Sequence, residues 1–270
     1  MASGLATTLS DTLSERFSAL QLAGRRALVC YVTAGHPDRA RSAALLQGLA
    51  EAGADVIEVG VPFSDPVADG PVIQASSQAA LQNGATLDVA LELVADARLD
   101  IPVVLFSYLN PLLAAGPDVL RRARDAGVHG VLVTDLPVGA DREREEWFGN
   151  GPLDFVRLVA PTTPSARMAD IARLGRGFVY LISRLGVTGE QRDVSAALPL
   201  SLARLRAVCT LPICAGFGIS TAAQAREVGA LADGIVVGSA IVRAAGQHVD
   251  HALQLVRELR TALDDLPPAR

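Results

Sequence analysis

Glu58 lies inside an otherwise apolar run, Val56 to Val61, of the kind that forms a strand buried on both faces. A carboxylate there faces either the interior of the core or a layer of covering helices, and both are dry. Burial of its charge is costly unless the group is paired or protonated. Such a residue is either a structural carboxylate bonded to a neighbouring strand or a general acid/base with a raised pKa. The loop that follows, "VPFSDPVADGP", holds Asp65 and Asp69 between Pro62, Pro66 and Pro71. The prolines stiffen the loop and fix where its carboxylates point. Asp before Pro or Gly is also ordinary turn chemistry, so spacing alone leaves both Asp65 and Asp69 as candidates.

Two glycine-rich turns near the C-terminus suit an anion. They read "AGFGIS" (Ala215 to Ser220) and "VGSAIV" (Val237 to Val242). Gly216, Gly218 and Gly238 let a backbone approach a ligand closely, and Ser239 leads into a short helix whose N-terminus can hold a phosphate. A third polar segment, "SRLGVTGEQRD" (Ser183 to Asp193), reads as a mobile lid, with a plain surface loop as the alternative.

Elements must position these groups. Apolar, β-rich runs recur at Ala27–Thr33, Val56–Val61, Val103–Phe106, Val131–Val133, Phe155–Val159, Phe178–Ile182, Ile213–Ala215 and Ile235–Val237. The segments between them carry helix-start signals: Pro37-Asp38 before a helix running to Ala52, Pro164-Ser165, and Ser220-Thr221. In "AGADVIEVG", "AGVHGVLVTD" and "GALADGIVVGS" a glycine stops a helix and a strand follows. Eight such units predict an α/β fold, a single (βα)₈ TIM barrel, with an open doubly wound sheet as the alternative. The capping-box spacing of Thr12 and Glu15 predicts a short extra N-terminal helix at the base of the barrel. The whole chain, 1–270, then reads as one domain, with a cap segment over 1–25 and the barrel over 26–263.

In a TIM barrel the active site lies at the C-terminal ends of the strands, where the Glu58 loop, the lid and the glycine turns all fall. Paired glycine turns after the last two strands are the usual phosphate site of this fold.

Composition narrows the chemistry. All 24 basic residues are arginine, and the absence of lysine excludes a Schiff-base mechanism. His36, His129, His248 and His251 form no ligand cluster, so no metal is expected. The net charge of −5 without a basic run argues against nucleic acid, and no apolar stretch suits a membrane span. Cys30, Cys209 and Cys214 lie in or beside apolar runs and read as reduced thiols of a cytoplasmic protein.

"IEVGVPFSDPVADGP" resembles the signature of the tryptophan synthase alpha subunit family. "YVTAGHP", "SYLNP", "VTDLPV", "APTTP", "GVTG", "GFGIS" and "GSAIV" match its other blocks in order, over about residues 12 to 263. The resemblance implies retro-aldol cleavage of indole-3-glycerol phosphate to indole and glyceraldehyde 3-phosphate, a lyase step of L-tryptophan biosynthesis. It implies Glu58 as the acid/base and Asp69, rather than Asp65, as the carboxylate that stabilises charge at the indole nitrogen. It places Tyr108 and Tyr180 in the pocket, Gly189, Phe217, Gly218, Gly238 and Ser239 around the substrate and its phosphate, and Thr188 in the lid as partner to Asp69. It implies no cofactor, and a beta-subunit partner in an α₂β₂ complex docked on Pro62, Phe63, Pro66, Asn110 and Pro137. Leu185, Val72 and Gln78-Ala79 depart from the family pattern.

The absence of lysine and of a metal cluster fits this chemistry. Carbon–carbon cleavage needs an electron sink, and an indole protonated at C3 supplies its own, so two carboxylates suffice. Two other readings share the sequence: a free-standing lyase, and a non-catalytic barrel that activates a beta subunit.

Overall fold

The computed structural model describes residues 12–182, 197–216 and 218–268. The strands are β1 (Ala27–Thr33), β2 (Val56–Gly60), β3 (Val103–Ser107), β4 (Gly130–Val133), β5 (Asp154–Val159), β6 (Val179–Ile182), β7 (Ile213–Gly216) and β8 (Gly234–Val237). Each pairs in parallel with the next, and β8 pairs with β1, closing a TIM barrel in sequence order. The predicted runs match these strands to within a residue or two at each end.

The helices are α1 (Leu13–Leu22), α2 (Arg39–Ala52), α3 (Pro71–Gln82), α4 (Leu87–Ala97), α5 (Leu109–Ala114), α6 (Val119–Asp125), α7 (Arg142–Gly149), α8 (Ser165–Leu174), α9 (Ala197–Arg206), α10 (Ala222–Gly229), α11 (Ser239–Gln247) and α12 (Val249–Asp264). One helix per strand is therefore an undercount: β2 and β3 are each followed by two helices, as is β8.

Local chemistry sets the helix ends. Asp38 accepts the N–H of Arg41 at the start of α2, Thr221 caps α10, and Thr12 and Glu15 form a reciprocal capping box on α1. Gly53 ends α2 at φ +108°, a conformation that disfavours any residue with a Cβ. Gly229 does not stop its helix as expected. It is the last helical residue of α10, and a side chain there would run into Leu263 of α12, so it serves packing between helices.

Strand residues alternate between two apolar layers. Leu28, Ile57, Val59, Leu105 and Val131 pack outward against the helices. Ala27, Val29, Val56, Val104, Leu132, Val156, Phe178, Cys214 and Val236 fill the barrel. Leu13, Phe17 and Leu20 of α1 join this inner group, with the Phe17 and Phe178 rings 5.3 Å apart. A Cβ at Gly130 would come within 2.7 Å of Leu13, so the strand leaves room for that side chain. The N-terminal end of the barrel is thus plugged, and each buried apolar side chain of α1 contributes about 2 kcal/mol.

An ion cluster fixes the plug. Asp55, beside the start of β2, is 1% exposed. It meets Arg16 of α1 at 2.7 Å, Arg260 of α12 at 2.9 Å and the N–H of Leu28 at 2.9 Å. Among the described residues no helix is long and apolar enough to cross a membrane.

Candidate active site

The phase of β2 settles which way Glu58 points. Val56 belongs to the inner layer, Ile57 and Val59 to the outer one, so Glu58 faces the barrel interior. It sits opposite Tyr31 of β1 and Val104 of β3. The side chain is 1% exposed, and among the described residues neither carboxylate oxygen has a hydrogen-bond partner. Burial alone pushes its pKa up to about 8. A structural carboxylate bonded to a neighbouring strand would have partners; among the described residues this one has none.

Asp69 and Asp65 part company in the fold. Asp65 is exposed and lines an open groove of about 480 Å³ with Phe63, Pro66, Val67 and Gln74. Asp69 is half-buried, and its carboxylate accepts the Tyr108 hydroxyl at 3.1 Å. Burial raises its pKa to about 6, and the Tyr108 bond moderates the rise. The loop holds its own shape: the Asp69 N–H donates to the Pro66 carbonyl at 3.0 Å, and the Gln74 amide donates to the Asp69 carbonyl at 2.8 Å. Pro71 occupies the first turn of α3, where its missing N–H costs nothing.

Tyr108 is placed by the structure somewhat differently from a simple pocket wall. It is buried at the start of α5, and it holds the β2–α3 loop. Besides bonding Asp69, its oxygen accepts the Ala68 N–H at 2.9 Å, and its ring lies 5.1 Å from that of Phe63.

Two further phenols share the mouth. Tyr31, which sequence reasoning passed over, and Tyr180 both point inward from their strands. Each is raised in pKa by burial first, and then by the charges of both Glu58 and Asp69, so the two carboxylates converge on one space. Each ring needs a glycine on the next strand. A Cβ at Gly60 would collide with the Tyr31 phenol, and one at Gly216 with the Tyr180 phenol. Gly216, expected to admit a ligand, is therefore occupied by a tyrosine ring. A signal for Tyr31 was available: it sits two strand positions, and so one pleat repeat, from Val29 and Thr33 on the inner face.

The glycine turns flank this space. Gly218 adopts φ +64° with open space where a Cβ would lie, as close approach of a ligand requires. Gly238 packs its backbone against the Tyr31 side chain, and Ser239 begins α11, nine residues long. Phe217, Thr188, Gly189 and the expected lid, Ser183 to Asp193, lie outside the described residues. Among the described residues no three His, Cys, Asp or Glu side chains gather as a metal site.

A family model described as Tryptophan synthase alpha chain matches residues 17–267. A tryptophan synthase alpha chain of Laribacter hongkongensis is 46% identical over 262 residues, spanning 94% of this chain and 99% of the relative. A structure of tryptophan synthase from Mycobacterium tuberculosis superposes with a TM-score of 0.87 at 35% identity, covering 94% of this chain and 98% of that one. The tryptophan synthase subunit alpha of Legionella pneumophila gives 0.86 at 30% identity, covering 95% and 100%.

Proposed function

The chain belongs to the tryptophan synthase alpha chain family, and from that premise we propose how its side chains cleave indole-3-glycerol phosphate. It is a carbon–carbon lyase of tryptophan biosynthesis, and its products are indole and glyceraldehyde 3-phosphate. The observation that carries the assignment is Glu58: an inward-facing carboxyl without a hydrogen-bond partner among the described residues, raised to about 8, at a mouth shared with a second carboxylate raised only to about 6.

That difference separates the roles. Near pH 7 Glu58 is protonated and Asp69 is ionised, as an acid and an anion should be. Glu58 gives its proton to indole C3. The ring becomes an iminium-like sink, and Asp69 accepts the ring N–H and stabilises the charge there. The Glu58 carboxylate then takes the proton of the glycerol hydroxyl. The carbon–carbon bond breaks, its electrons restore the indole, and the aldehyde leaves with Glu58 reprotonated. Each well-placed proton transfer is worth ~10²–10⁴-fold.

Tyr180 lines the pocket, and Tyr31 joins it there. Gly218, in the turn after β7, and Gly238 and Ser239, at the start of α11, hold the phosphate through backbone N–H groups. The match to the family's motifs adds Phe217, Thr188 and Gly189 as further substrate-binding residues. The partner is a beta subunit in an α₂β₂ assembly. Support for this comes from the exposed face of the β2–α3 loop, where Val67 is 71% exposed beside the groove of Phe63, Asp65 and Pro66. The resemblance adds Asn110 and Pro137 to the docking surface, and both are exposed. Steady-state indole release from indole-3-glycerol phosphate by the purified chain tests the assignment, and Glu58→Gln must abolish it.

A further inference from the structure

Asp69 is held by Tyr108, and Tyr108 is in turn gripped by the loop after β4. The Thr134 N–H donates to the Ser107 carbonyl at 3.0 Å, on one side of Tyr108. On the other side, the Asp135 carboxylate accepts the Leu109 N–H at 2.7 Å. Two consecutive loop residues thus bracket the tyrosine backbone. The Ser107 hydroxyl adds a bond to the Tyr108 carbonyl at 2.8 Å. The phenol at the far end carries three contacts to the β2–α3 loop: Phe63, the Ala68 N–H and the Asp69 carboxylate.

We infer that Asp135 is a positioning residue for the cleavage reaction, acting on Asp69 through Tyr108. Its carboxylate is exposed, and its bond goes to a backbone N–H at the start of α5, so its own contribution to the core is small. Its bond is charge-assisted and short, which fixes the direction in which the phenol leaves the backbone. A phenol hung from a loosened backbone still packs on Phe63. It no longer presents its hydroxyl to Ala68 and Asp69 together. Misplacement of a catalytic group by about 1 Å can cost ~10²-fold in rate, so a modest drift at Asp69 is visible in kcat.

This inference rests on the reading of Asp69 as the carboxylate that meets the indole nitrogen. The test is steady-state kinetics on Asp135→Ala, Asp135→Asn, Tyr108→Phe and the Asp135→Ala/Tyr108→Phe double variant, with Asp69→Asn alongside. Asp135→Ala lowers kcat about tenfold and moves the acid limb of kcat/KM, at an unchanged thermal midpoint. Asp135→Asn keeps an oxygen acceptor for the Leu109 N–H and restores most of the rate. On the Tyr108→Phe background Asp135→Ala has no further effect, because the two act through one hydroxyl. A wild-type rate for Asp135→Ala overturns the inference. So does an Asn variant no better than Ala, additivity with Tyr108→Phe, or a loss that only tracks the thermal midpoint. An active Asp69→Asn overturns the reading of Asp69 instead.

Discussion

The Tyr108 hydroxyl donates to the Asp69 carboxylate at 3.1 Å while its oxygen accepts the neighbouring Ala68 N–H at 2.9 Å. One phenol therefore fixes both the place and the charge of a carboxylate on a loop. Removal of the hydroxyl leaves Asp69 with burial unopposed by that bond, and its pKa rises above about 6. Tyr108→Phe is expected to shift the acid limb of kcat/KM to higher pH and to lower kcat about tenfold, less than the ~10²-fold that a ~1 Å misplacement can cost. A pH–rate profile superposable on that of the parent would sink this.

The two carboxyls predict a bell. Activity needs Asp69 ionised, so it rises with pH through about 6, and it needs Glu58 protonated, so it falls through about 8. Glu58→Gln is expected to lose at least ~10² of rate and Asp69→Asn to be comparably inactive, while Asp65→Asn on the exposed side of the loop is mild. Retention of a tenth of the activity by Glu58→Gln would refute the acid/base role.

Glu58 also sets a pH dependence of stability. Its folded pKa, about 8, lies above its ordinary value of 4.5, so the folded state binds this proton more tightly than the unfolded chain. The associated stability is fully present below about 4.5 and is lost as pH rises toward 8. Each pKa unit is worth about 1.4 kcal/mol, so Glu58→Gln is expected to be several kcal/mol more stable than the parent at pH 8. Urea denaturation of both proteins at pH 5 and 8 measures this, and equal midpoints at pH 8 would contradict it.

Gly218 and Gly216 should fail in different ways. Gly218→Val places a side chain in the open space beside the turn, at φ +64°, and is expected to raise KM sharply for the phosphorylated substrate. Gly216→Ala collides with the Tyr180 phenol and is expected to lower kcat instead. Kinetics that show the reverse pattern would place the phosphate elsewhere.

A beta subunit should activate the chain. Docking on the proline-rich loop that carries Asp69 is expected to favour the competent arrangement by differential binding. Indole release is expected to rise on saturation with the partner, and Val67→Asp, at an exposed apolar point of that loop, to weaken the response. Equal rates with and without the partner would favour the free-standing lyase.

The amino-acid sequence alone determined the barrel, because the signals involved are local. Buried parallel strands read as apolar runs such as "ALVCYVT", and side-chain caps such as Asp38 and Thr221 mark where helices begin. The family signature likewise lies within one contiguous stretch, the end of β2 and the loop after it, and reached Glu58 and Asp69 together. Only the tertiary structure decided which face of β2 Glu58 occupies, since strand alternation gives two faces and barrel closure chooses the inner one. It alone separated Asp69 from Asp65 by burial. It gave Gly216 to a tyrosine ring and Gly229 to helix packing, because the neighbours concerned come from other parts of the chain. Tyr31 and Asp135 acquire their significance in the same way. Tyr31 meets Glu58 across β1 and β2, and Asp135 meets Leu109 from the next loop. Their chemistry exists only where distant segments touch, and spacing along the chain carries no record of that contact.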